Sequence, residues 1–390
     1  MTSPFKYLEE VPVLKQHPLS VGIGDTQAAV INHLRRKGAA SRAEIAEFCG
    51  VTPAAVSMMV RDLIKRGIII EGARRHGGRG APHIDLMLQS NVGYALGVHA
   101  NHYSLTLTLL DFCGKRIGEH RLEGPYKTFY DIQTTIDGVK TSLLASCDVD
   151  ESLLLGAGIA MPTRFRHGAT GLDLAEEVIS WAGSDLASSL NAKLGCAVLI
   201  ENDANAAAMG ELALGNAAEH DNFAYLYLSE GIGSGIIIDK ELYRGSLGNA
   251  GEVGALRSRG LSRPSFEDLA DWCNEHVGYI PKGRSCEQWA VYLEDNMTVL
   301  NAWLERAGPQ TARLAFMIAA VLAPSAIFIG GTLPRLVRER LAQWLDFDWS
   351  KPFEGGRVLQ PTILIPEIAA ADTVAFGAAA MILHNLPNSS

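Results

Sequence analysis

At 390 residues the chain is too long for a single compact core and suits two or three domains. Its 47% hydrophobic and 20% charged residues, with 39 Gly and 16 Pro, exclude a low-complexity or fibrous protein. The net charge of −9 excludes a chain that is basic throughout, yet residues 25–90 hold ten Lys/Arg against six Asp/Glu, a basic head on an acidic body.

The opening Met1-Thr2-Ser3-Pro4-Phe5-Lys6 lacks the charged-then-apolar layout of a signal peptide. The apolar run from Leu314 to Gly331 is broken by Pro324 and reads as a buried helix feeding a strand, not a membrane span. Six cysteines without a C-x-x-C pair are simplest as reduced, buried small hydrophobes. The expectation is a cytoplasmic protein with no membrane partner.

Residues 1–90 read as a winged helix-turn-helix. Val30, Ile31 and Leu34 share one face of a helix over Asp25–Lys37. Ser41-Arg42-Ala43-Glu44 is a capping box, opening a helix that turns Ile45, Ala46 and Phe48 inward and stops at Gly50. Thr52 caps a third helix with Pro53 at its first position, and Val56, Val60, Leu63 and Ile64 give it a buried stripe. The face left over carries Ala54, Ala55, Ser57, Met58, Arg61 and Lys65. Small residues at its start suit a major groove, and the two cations suit phosphates. Ile68-Ile69-Ile70 and Ile84-x-Leu86-x-Leu88 form a hairpin. Its Gly-rich tip carries Arg74, Arg75 and Arg79, placed to straddle a backbone or enter a minor groove. A basic face that is merely solvated is the bland alternative.

Residues 91–390 open with strands over Tyr94–Val98, Ser104–Asp111 and Lys115–His120. Phe223–Leu228, Ser234–Asp239 and Glu241–Tyr243 repeat that pattern. Repeated β-β-β-α-β-α halves suit two α/β lobes closing on a cleft. Asn202 and Asp203 fall where a strand runs into a helix. They either offer an amide and a carboxylate to a polyhydroxylated ligand or simply cap the helix. Glu252 stands in a glycine loop, Gly248 to Gly254. Ser229-Glu230-Gly231-Ile232-Gly233-Ser234-Gly235 is a tight turn able to present amides to a phosphate.

Taken in order, Gly158-Ile159-Ala160-Met161-Pro162, Glu201-Asn202-Asp203-Ala204-Asn205, Ser229 to Gly235, Ala250-Gly251-Glu252-Val253-Gly254 and Ile329-Gly330-Gly331-Thr332 resemble the ROK family of bacterial repressors and sugar kinases. The resemblance spans roughly residues 90 to 385, and the preceding head is what the repressor branch carries. It implies an α/β, two-lobed actin-like (RNase H-like) sugar-kinase fold, a sugar or sugar-phosphate effector, and homodimers or homotetramers. Asn202, Asp203, Glu252 and Glu267 are the implied sugar contacts.

The sequence departs from the family's kinases at their first phosphate loop. The equivalent stretch, Gly97-Val98-His99-Ala100-Asn101-His102, has neither paired glycines nor an acid to help hold Mg²⁺. The family's Pro-Gly turn is Pro162-Thr163 here. The position of the family's zinc-binding and sugar-contacting His is Ala255, and Leu256 to Phe266 contains no Cys, so no metal and no cofactor are expected. The expectation is a non-enzymatic, sugar-responsive regulator, a repressor of carbohydrate genes that binds a palindromic double-stranded operator. The alternatives are an active sugar kinase with a regulatory head and a ligand-independent DNA-binding protein.

Overall fold

Short-range capping signals build the head first. In the computed structural model, which describes residues 19, 22–75, 83–165, 172–174, 179, 185–214, 216–256, 263–346, 358–367 and 370–386, α1 runs over Asp25–Lys37 and buries Val30, Ile31 and Leu34. Helix α2, Arg42–Cys49, starts at Ser41, whose hydroxyl accepts the Glu44 amide while the Glu44 carboxylate accepts the Ser41 amide at 2.7 Å. It ends where Gly50 turns left-handed at φ +63°. Helix α3, Pro53–Lys65, begins at Thr52 and buries Val56, Val60 and Leu63. Strands β1, Ile69–Arg75, and β2, His83–Leu88, pair antiparallel, and a bridge from Ala40 to Leu86 adds a third segment to this wing.

Two expectations for the head are corrected. Phe48 is 48% exposed rather than turned inward, because Ile45 and Ala46 already fill the contact with the neighbouring helices. Its ring stacks instead on His33 at 4.0 Å and lies under Arg36. Strand β1 also runs on to Arg75 beyond a bulge between Glu71 and Arg74, so Arg74 and Arg75 stand on the ladder, opposite Ile84 and His83, and not at the hairpin tip. Arg79 lies outside the described residues.

The body follows as β3 Tyr94–Ala100, β4 Ser104–Asp111, β5 Arg116–Glu123, α4 Phe129–Ser146, β6 Leu154–Met161, β7 Thr163–Phe165, β8 Leu172–Leu174, α5 Leu186–Leu194, β9 Val198–Asn202 and α6 Asp203–Leu214. The second lobe adds β10 Phe223–Leu228, β11 Ile232–Ile238, β12 Glu241–Leu242, α7 Phe266–Val277, α8 Cys286–Asp295, α9 Met297–Leu322, β13 Ala326–Gly331, α10 Arg335–Ala342, β14 Thr362–Leu364 and α11 Ala370–His384. The two five-stranded sheets, in the orders β5-β4-β3-β6-β9 and β12-β11-β10-β13-β14, have one topology, as the repeated halves predict. Among the described residues no single helix is long and apolar enough to cross a membrane.

Helices α6 and α11 lie between the sheets and join the lobes. Their contacts are close because glycine removes a side chain where backbones meet. A Cβ on Gly377 of α11 would stand 1.8 Å from the Ala206 carbonyl oxygen of α6, and one on Gly97 of β3 would stand 1.8 Å from that of Ala375. On the outer faces, α4 and α5 cover the first sheet, and α7, α9 and α10 cover the second. The apolar cluster of the head is continuous with that around α6 and α11, through residues such as Leu34, Phe112 and Leu383.

Candidate functional site

On α3 the expected outer face is open to solvent. Ala54, Met58, Arg61 and Lys65 are exposed, and Ala55 and Ser57 are half-buried. The Ser57 hydroxyl donates to the Pro53 carbonyl at 2.8 Å, and Arg61 Nε donates to the Ser57 carbonyl at 3.1 Å. The hydroxyl proton of Ser57 is therefore engaged within the helix, which leaves its oxygen lone pairs to meet an outside donor.

Among the described residues the cleft between the lobes contains two cavities, one lined by Asn202 and the other by Asp203 at the junction of β9 and α6. The smaller is lined by Thr163, Asn202, Asn205 and the Gly248–Glu252 loop, and has about 10 Å³ of free volume, room for about one water. Asn202 is consumed structurally. Its Oδ1 accepts the amides of Ala204 and Asn205 at the start of α6, and its Nδ2 donates to the Thr163 carbonyl at 2.9 Å. Of the two readings of Asn202, the helix cap is the one the geometry contains. Glu252, an implied sugar contact, is bridged by Arg164 Nε at 2.8 Å. Beside it the Asn249 amide reads the Phe165 backbone in both directions at 2.7 Å, stapling the glycine loop to β7. Glu267 is exposed and lines neither cavity, because α7 buries its neighbour Phe266 together with Leu269 and Ala270.

The larger cavity, about 270 Å³, reaches from Asp203 to the end of β3 and the loop after β13. Strand β3 continues to Ala100, paired with Leu105, so the stretch expected as a turn is strand until Asn101. Asn101 then folds back: its Oδ1 accepts the amides of Tyr103 and Ser104 at 2.9 and 2.8 Å. Two amides of the turn that stands in for a phosphate loop are thus already occupied. In the second glycine turn the Ser229 amide donates to the Gly231 carbonyl and the Ser234 amide to that of Gly251, which removes two of the donors expected for phosphate.

Several site residues carried no signal that composition or spacing exposes. Glu201 is 1% exposed and joins the lobes: it accepts from Asn205 Nδ2 at 2.9 Å and from Arg244 Nε at 2.8 Å. Arg284 is held by Glu230 at 2.8 Å and lies between the rings of Tyr103 and Phe266. His99 is 2% exposed; burial, with the nearby charge of Arg121 adding to it, pulls its pKa down to about 4, so the imidazole is neutral at physiological pH. Asn101 alone was legible, since Asn three residues before Ser at a strand end is a common turn device.

Known proteins match both parts of the chain. The ROK family model matches residues 95–383, and the MarR family model matches residues 21–80. The protein y4fQ of Sinorhizobium fredii is 26% identical over 81% of this chain and 79% of its own length. The xylose repressor of Bacillus subtilis is 29% identical over 58% of this chain and 59% of that one, so the chain spans under two thirds of that repressor. A solved ROK family transcriptional regulator, described as a homologue of the E. coli MLC protein, superposes with a TM-score of 0.68. It does so at 15% identity, over 92% of this chain and 96% of that one. Sugar kinases of the family share the fold of the body.

Proposed function

This chain belongs to the ROK family, and on that footing we propose that it is a sugar-responsive, DNA-binding transcription repressor whose kinase-like body senses and does not catalyse. The observation that carries this reading is Asn101, which occupies turn amides at the position where the family's kinases hold phosphate. A carboxylate at Asp203 has nothing to act on where no phosphoryl donor is held. The exposed face of α3 and the wing supply the DNA contacts, and a dimer would present two heads to the half-sites of a palindrome.

In this reading the sugar enters the cleft beside Asp203, and its differential affinity for two lobe arrangements shifts the heads. Glu252 joins the site only when Arg164 swings away. A ligand-independent scaffold is the second reading, favoured by the Arg164–Glu252 pair, which already engages the carboxylate expected to meet sugar. The test is capture of genomic fragments by the purified protein, followed by gel shifts on a retained fragment with a panel of sugars. Release by one sugar supports the repressor; a retained fragment indifferent to every sugar supports the scaffold.

A further inference from the structure

The first turns of a recognition helix meet base edges in the major groove, while residues further along meet phosphates. On α3 those turns place Ala54, Ala55, Ser57 and Met58 away from the buried Val56 and Val60. Ala54, Met58, Arg61 and Lys65 follow one another at helical spacing along the outer face. Met58 is 68% exposed, more than the other exposed large apolar side chains of the head, Phe48, Ile70 and Met87. A single apolar side chain at a surface is ordinary. This one stands where bases are read.

The polar groups around it are committed within the head. Thr52 Oγ1 accepts the Ala55 amide at 3.3 Å, and the Ser57 hydroxyl donates to the Pro53 carbonyl at 2.8 Å. Asp62 is the only carboxylate on α3, and it accepts from Gln27 Nε2 at 3.0 Å and from Arg66 Nη1 at 3.4 Å, which ties it to α1 and to the helix end. Arg61 opens the third turn with Nε donating to the Ser57 carbonyl, and Lys65 lies one turn further on. The first two turns thus offer methyl, methylene and thioether groups with one hydroxyl oxygen among them. Among the four bases, thymine is the one with an apolar group in the major groove, its C5-methyl, and apolar side chains are what read it.

We propose that Met58, with Ala54 and Ala55 beside it, reads thymine C5-methyl groups in each half-site of the operator. The two alanines keep the helix surface low enough for a close approach. The unbranched, polarizable thioether then fills the space against a methyl group. Specificity at these positions comes from apolar burial and not from an arginine-to-guanine hydrogen bond. The assignment rests on the DNA-binding reading and deepens it by naming the chemical group recognised.

The test is fluorescence anisotropy with the full chain on a genomic fragment that it retains. Thymines of the half-sites are replaced one at a time by deoxyuridine, which lacks only the methyl and keeps every hydrogen-bonding edge. At one or more positions wild type should lose about fourfold in affinity, the worth of one buried methyl group. In Met58→Ala the same replacement should cost less than about twofold, with the slope of log affinity against log salt unchanged, because no charge is removed. In Arg61→Ala the full penalty should remain although binding weakens on every fragment. A retained fragment indifferent to deoxyuridine at every position overturns the methyl readout while DNA binding stands. A penalty that Met58→Ala leaves undiminished overturns the assignment of Met58. If the chain retains no fragment, this assignment and the DNA-binding reading fall together.

Discussion

The guanidinium of Arg35, in the first helix of the head, donates to the carbonyl of Leu383, in the last turn of α11, at 3.1 Å. The same side chain donates through Nε to the Phe112 carbonyl at 3.0 Å and lies over the Phe112 ring. One residue on, His384 pairs with Glu241 of the second sheet at 2.9 Å. Helix α11 packs along α6, whose first residue is Asp203, so a series of packed elements connects the cleft to the head.

Replacing Arg35 tests that connection. Three hydrogen bonds from a charged donor, to Phe112, Leu383 and Asn32, are lost in Arg35→Met, and the expected destabilisation is about 2–4 kcal/mol, measured by denaturant unfolding. Sugar affinity should be retained, while the effect of sugar on gel-shift retention should shrink. Unaltered coupling between sugar and DNA would show that the signal travels elsewhere.

His99 predicts a pH dependence with a definite sign. Its folded pKa of about 4 lies below that of a free imidazole, near 6.5, so the unfolded chain binds the proton first. The stability concerned is complete above about pH 6.5 and is lost as pH falls towards 4. Between pH 7 and 4.5, wild type should lose roughly 2–3 kcal/mol more than His99→Gln. Equal losses in the two proteins would mean that His99 is not held neutral by burial.

Phosphorylation of sugars should be absent. With the Tyr103 and Ser104 amides held by Asn101, a coupled assay for ADP release should show no turnover of hexoses or amino sugars with Mg-ATP. Turnover abolished by Asp203→Asn would contradict the sensor reading.

On α3, Arg61→Ala should weaken DNA binding across sequences and lower the slope of log affinity against log salt by about one. Ser57→Ala should instead change operator preference with little change in slope, since in the proposed docking its oxygen would meet base edges and it carries no charge. A gel-shift salt series on matched and mismatched fragments separates the two. Equal slopes for Arg61→Ala and wild type would remove Arg61 from the phosphate contacts.

What the sequence determined by itself is what local chemistry along the chain controls. Ser41 with Glu44, Thr52 with Pro53, and Gly50 mark the ends of α2 and α3 through hydrogen bonds spanning only a few residues. Strand alternation and the repeated halves foretold the two matching sheets. Only the tertiary structure decided the rest. Phe48 faces outward because His33 offers it a stacking partner on another helix, and Glu252 is occupied because β7 brings Arg164 to it from 88 positions earlier in the chain. His99, Tyr227 and Thr332 line one cavity only because β3, β10 and β13 end at the same level of two packed sheets. Arg35 meets Leu383 across nearly the whole length of the chain. Periodicity and capping report interactions within a helical turn or a hairpin, whereas these contacts depend on how separate elements stack, which no short window of residues encodes.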